Sequence, residues 1–140
     1  MPPDRPAPSE GRYHRPAEPW PLYASLEPAT AWAEWSAATR GAVDPRSVRR
    51  RLWEVEVEKL PVLDLRDPGV VEQLGVHMDD LTGGRRAAQE LAARARSIGA
   101  EGLIVPSAAR HGYWNLVVFP VGLGRVRAGP SRAMHPRPPG

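Results

Sequence analysis

Cysteine is absent from this chain, which excludes disulfides, thiolate nucleophiles and zinc sites built on sulfur. No apolar run approaches the roughly 20 residues that a membrane-spanning helix needs. The first dozen residues hold no apolar stretch of the kind found in a secretory leader, so a soluble protein of the cytoplasm is expected. Lysine is almost missing, with Lys59 the only one, and the basic charge rests on arginine. Common catalytic signatures are missing too: there is no HExxH, no GxSxG, no P-loop and no GxGxxG after a strand. The four histidines, His14, His77, His111 and His135, are spaced too widely for metal-ligand pairing, and no metal site is expected. Each reads first as a surface or loop histidine, although His14 stands beside residues singled out below.

What remains is enough for one domain. A chain of 140 residues with 41% apolar content can build one modest core. The net charge is only +3, so the pI near 9.9 reflects arginines that never deprotonate rather than a large excess of charge. Those arginines are scattered, with Arg49, Arg50 and Arg51 the one tight run, read as a solvated loop or strand start. Nucleic-acid binders concentrate arginine along one element or interleave it with stacking aromatics. Direct nucleic-acid binding is therefore not expected. Residues 1–10 hold four prolines, and residues 125–140 carry Arg125, Arg127, Arg132, Arg137 and further prolines. Both read as disordered tails around a domain at 11–124.

Within that domain the periodicity predicts an α+β fold of five or six short strands and two or three helices. Pro21 to Ser25 has strand length. A helix from about Pro28 to Arg40 follows, with proline tolerated in its first turn, Trp32, Trp35 and Ala38 toward a core, and Glu34 on the flank of that stripe. Leu52 to Glu58 alternates strictly, placing Trp53, Val55 and Val57 on one face and three glutamates on the other. Val62 to Arg66 predicts a strand and Pro68 to Leu74 a short helix closed by Gly75. Between Arg85 and Ile98, Ala88, Leu91, Ala92, Ala95 and Ile98 recur at helical spacing, with Gly99 as the stop. The apolar runs Gly102 to Pro106 and Leu116 to Phe119 suit strands covered on both faces.

Six segments in order carry a resemblance. Gly11-Arg12-Tyr13-His14-Arg15-Pro16, Pro21-Leu22-Tyr23-Ala24-Ser25 and Ala31-Trp32-Ala33-Glu34-Trp35 form the first part. Val62-Leu63-Asp64-Leu65, then Gly102 through Arg110, then Asn115-Leu116-Val117-Val118-Phe119 form the second. Together they resemble the RES domain family, named for an arginine, a glutamate and a serine that here fall on Arg12, Glu34 and Ser107. The resemblance implies a compact single domain related to the diphtheria-toxin-like ADP-ribosyltransferases, with NAD as substrate. It also implies a toxin of a bacterial toxin-antitoxin pair, restrained by a partner with a helix-turn-helix DNA-binding domain. NAD is then consumed by phosphorolysis or hydrolysis, with inorganic phosphate as a co-substrate and no cofactor. The alternatives are a mono-ADP-ribosyltransferase acting on a protein, or a catalytically inactive interaction module of the same fold. Family members tend to have glycine in the turn before the tyrosine strand, where this chain has Ala17, at a position suited to positive φ. They also carry a longer stretch, with a strand and a further arginine, before the Gly-Arg segment, so either a late start or a missing edge strand is expected here.

The residue types suit this chemistry. Nicotinamide is a cationic leaving group that departs neutral, so no general acid is needed and one carboxylate suffices where glycosidases use two. Glu34 would stabilise the positive charge that develops on the ribose or hold a ribose hydroxyl. Arg12 offers a fork of donors for the NAD pyrophosphate or an attacking phosphate. Tyr23 would pack on nicotinamide or bond a phosphate, and Ser107 and Asn115 would bind substrate; the resemblance makes Glu34, Arg12 and Ser107 the expected catalytic residues. Without the resemblance only Glu34 stands out. Arg12 is then one arginine among many, Tyr23 a core tyrosine, and Ser107 and Asn115 turn caps.

Overall fold

The computed structural model describes residues 11–39 and 51–133. Strand β1 spans Leu22–Ser25 and helix α1 spans Pro28–Thr39. Pro28 occupies the first turn, where no donor is required, and α1 buries Trp32 and Thr30. After β2 (Arg51–Val57) and β3 (Val62–Asp64) comes α2 (Pro68–Leu74). Asp67 caps α2 by accepting from Gly69 N at 2.9 Å, and Gly75 ends it at φ 67 with its N–H turned back on Val71 and Glu72. A five-residue helix that the periodicity did not reveal, α3 (Met78–Thr82), buries Leu81. Five residues are too few for a helical period to register.

Helix α4 (Arg85–Ser97) buries Ala88, Leu91, Ala92 and Ala95. Ile98, expected on that stripe, is instead 69% exposed. The helix stops one residue earlier, and Gly99 at φ 90 turns the chain away before Ile98 can reach the core. The α4 stripe packs on a four-stranded sheet ordered β1-β5-β4-β3, where β4 spans Gly102–Pro106 and β5 spans Trp114–Val118. The β3–β4 pair is parallel, while β4–β5 and β1–β5 are antiparallel. The two central strands are covered on both faces, as their continuous apolar runs require. Leu103, Val105 and Val117 meet α4 and Leu65 on one side, and Ile104, Leu116 and Val118 meet Leu22, Val62 and Leu123 on the other.

A 3-10 helix (Pro120–Arg125) leads into β6 (Val126–Ala133), which pairs antiparallel with β2 as a separate two-stranded ribbon. This corrects the expectation of a disordered tail for residues 125–133. The pairs Trp53↔Ser131 and Val55↔Ala128 leave Glu54 opposite both Gly129 and Pro130. That bulge accommodates a proline that cannot donate to the ladder. The apolar face of β2 is left open: Trp53 is 59% and Val57 38% exposed. A two-stranded ribbon has no second layer of its own to cover that face. Residues 1–10 and 134–140, expected to be tails, and the Arg49–Arg50 part of the arginine run lie outside the described residues. The result is a compact mixed α+β single domain, and no helix among the described residues is long and apolar enough to cross a membrane.

Candidate active site

The carboxylate of Glu34 is the point on which three elements converge. Projecting from α1, its Oε2 accepts from Ser107 Oγ at 2.8 Å and from the side-chain amide of Asn115. Ser107 follows the end of β4 and Asn115 lies near the start of β5, so adjacent strands deliver both donors to one helix. Asn115 is itself oriented by Ser25 of β1, whose hydroxyl donates to Oδ1 at 2.8 Å. Glu34 Oε1 has no hydrogen-bond partner among the described residues, leaving one oxygen free for a ligand.

This carboxylate opens on a groove of about 1110 Å³ between the main sheet and the β2 ribbon, lined also by Arg12, Tyr23, Asn115, Trp53 and Arg85. The groove brings together four of the five residues singled out in the sequence. The fifth, Ser107, stands behind it, 3% exposed. Its hydroxyl donates to Glu34 and accepts from Ala109 N at 3.2 Å and Arg110 N at 3.0 Å. Ser107 therefore both caps the turn after β4 and orients the carboxylate, and the groove itself is bounded by its neighbours Pro106 and Ala108. Arg110 braces that turn, with Nη1 on Glu27 and Thr30 at the start of α1 and its guanidinium 3.5 Å from the centre of the Tyr113 ring.

Arg12 lies in a tight turn closed by Gly11 N to His14 O at 3.0 Å. Its Nη1 donates to the carbonyls of Leu81 and Gly83 at 3.1 and 2.7 Å, anchoring the guanidinium at the end of α3. Nε and Nη2 make no hydrogen bond among the described residues, so part of the donor fork is open for an anion. Tyr23 is 39% exposed on the groove, but its hydroxyl points back to the turn, accepting from Tyr13 N at 3.1 Å and meeting His14 Nδ1 at 2.7 Å. Burial pushes this phenol up to about 12. The neighbouring Tyr13 is raised further by burial, and its hydroxyl is fully enclosed with no partner among the described residues. Ala17 holds φ 68, the left-handed conformation expected of that turn.

Two groove residues escaped the sequence reading. Trp53 was placed only on one face of a strand, because strict alternation cannot say what either face meets. Arg85 was one arginine at a helix start, and only the turn of the chain at Gly83 and Gly84 brings it to the groove. His14, read as a loop histidine, is buried.

The RES domain family matches residues 2–136, extending beyond 11–124 at both ends and taking in β6. Over 134 residues, 95% of this chain, the sequence is 37% identical to a probable NAD(+) phosphorylase of Mycobacterium tuberculosis, of whose length the match spans 65%. A chain in the crystal structure of the M. tuberculosis MbcT-MbcA toxin-antitoxin complex superposes with a TM-score of 0.74 at 25% identity, covering 90% of this chain and 72% of that one. The order of the motifs, the match across nearly the whole chain and the shared fold lead to one conclusion: this chain belongs to the RES domain family.

Proposed function

We propose that the chain is an NAD-degrading enzyme that cleaves the nicotinamide-ribose bond with phosphate or water as acceptor. The observation that carries this reading is the Glu34 carboxylate, held through Oε2 by Ser107 and Asn115 with Oε1 open to the groove. The name of the 37%-identical relative supports NAD as the substrate. In the proposed reaction the bond between ribose C1 and the pyridinium nitrogen breaks, and its electron pair leaves with neutral nicotinamide. Glu34 stabilises the positive charge left on the ribose, an electrostatic contribution of about 3 kcal/mol. A phosphate oxygen then forms the new bond to C1, or a water oxygen does so with loss of a proton. The free nitrogens of Arg12 suit the pyrophosphate of NAD or the incoming phosphate. Tyr23 presents its ring rather than its hydroxyl, favouring packing on nicotinamide over a phosphate contact. NAD is consumed as substrate, and no cofactor is invoked.

The same reading makes the protein a cytoplasmic toxin restrained by an antitoxin with a helix-turn-helix domain, in keeping with the toxin-antitoxin complex that shares its fold. It carries with it kinship to the diphtheria-toxin-like ADP-ribosyltransferases, which superposition on that fold tests. Chromatography of NAD incubated with the protein, with and without inorganic phosphate, tests the chemistry. Nicotinamide release with a phosphorylated ADP-ribose product is expected. Unchanged NAD overturns the reading, and adenine-labelled NAD ending on protein replaces it with ADP-ribosyl transfer.

A further inference from the structure

Behind the groove, a buried imidazole holds a groove residue from the rear. His14 is 2% exposed, with its ring 4.6 Å from Trp20 and 5.8 Å from Tyr23, centre to centre. A phenylalanine would fill such a space without desolvating a polar ring, so the imidazole needs a reason to be there. Its Nδ1 lies 2.7 Å from Tyr23 Oη, which also accepts from Tyr13 N at 3.1 Å. The phenol oxygen is thus clamped between two nitrogens whichever ring nitrogen of His14 bears the proton.

The surroundings keep this contact in place. A Cβ on Gly11 would fall 2.4 Å from His14 Cε1, 2.6 Å from Nδ1 and 2.8 Å from Tyr23 Oη, so residue 11 can be only glycine while the two rings stay together. The buried Gln89 of α4 donates through Nε2 to the carbonyls of Gly11 at 3.0 Å and His14 at 3.2 Å. Helix α4 therefore fixes the turn, the turn fixes His14, and His14 fixes Tyr23.

We infer that His14 is a positioning residue, which holds the Tyr23 ring as a rigid platform on the groove through the Nδ1 to Oη contact. The role of that platform rests on the reading of the groove as the NAD site. With its hydroxyl tethered, the Tyr23 ring loses the freedom to swing into the groove, and a planar ligand ring meets one preset surface.

The test is a double-mutant cycle on NAD turnover. His14→Phe and Tyr23→Phe should each lower kcat/KM by about tenfold, the size of one lost hydrogen bond. The loss should divide between KM and kcat in the same way for both. Together they should be no worse than Tyr23→Phe alone, because both break one contact. His14→Asn, which returns a polar group near the Nδ1 position, should recover most of the loss. Multiplying losses in the double variant, or wild-type turnover by folded His14→Phe protein, overturns the inference. If His14→Phe does not fold, the nitrogen NMR shift of His14 Nδ1 decides: it should move in Tyr23→Phe, and an unmoved shift rejects the tether. That readout needs no NAD, so a wild-type protein inert toward NAD would remove the proposed function and the platform's role there, while the tether is still judged by the shift.

Discussion

Ser107 Oγ donates to Glu34 Oε2 at 2.8 Å, joining positions 73 residues apart in sequence. Two of the residues that the resemblance singled out thus meet, but with unequal parts. Glu34 reaches the groove, whereas Ser107 is enclosed and gives its hydrogen to Glu34 and its lone pairs to the N–H groups of Ala109 and Arg110. Glu34→Gln keeps the shape and an acceptor for both donors while removing the charge. It should lower kcat by roughly a hundredfold or more with NAD affinity largely retained. Wild-type turnover by the folded variant would show that the carboxylate is not the catalytic group.

Ser107→Ala should differ in kind. It strands two backbone donors in a buried turn and releases one side of Glu34, so unfolding free energy should fall by about 1–2 kcal/mol. Turnover should drop less than in Glu34→Gln, because Asn115 still holds the carboxylate. Urea titration alongside NAD assays checks this, and intact stability with abolished turnover would instead argue for direct contact with substrate.

Trp53 offers an exposed indole to the groove from the β2 ribbon. Stacking on a planar base is worth about 1–3 kcal/mol. Trp53→Ala should therefore raise the KM for NAD by roughly tenfold, and Trp53→Phe should recover part of it. Melting temperature should move little, since most of this residue is exposed.

Ending the chain after Arg125 removes β6, the strand paired with β2. An isolated strand has no ladder to hold it, so the groove wall bearing Trp53 should be lost. A lower melting temperature and a raised KM are expected from truncation, whereas ending the chain after Ala133 should spare the ribbon.

Tyr13 and Tyr23 are both neutral phenols held above the ordinary phenol value of 10.0, Tyr23 at about 12. A raised acid favours the folded state fully below the unfolded value and loses that advantage as pH climbs. Melting temperature should therefore decline as pH rises from about 10 to about 12. Tyr13→Phe should flatten that decline, and at neutral pH it should cost nothing or add about 1 kcal/mol, because it deletes a buried hydroxyl with no partner among the described residues. A clear loss of stability in this variant would mean that the hydroxyl is paired.

Local physics made much of the fold legible. Asp67, Pro68 and Gly75 set both ends of α2 through capping and left-handed geometry, and the stripe from Ala88 to Ala95 marked the buried face of α4. The runs 102–106 and 116–119 were apolar throughout because two layers cover them, and the order of short motifs was enough to point to Arg12, Tyr23, Glu34, Ser107 and Asn115. Partnership across the chain was beyond reach of the same reading. Val126–Ala133 looked like a tail because proline and arginine signal disorder until a bulge opposite Glu54 gives them a strand to pair with. The groove role of Trp53 stayed hidden because alternation defines two faces without saying what covers either. The division of labour between Glu34 and Ser107, and the tether from His14 to Tyr23, depend on distances of a few ångströms between segments far apart in sequence. Only the closure of α1, β4, β5 and the Gly11 turn around one groove sets those distances, because hydrogen bonds act at contact range and sequence order carries no record of which contacts form.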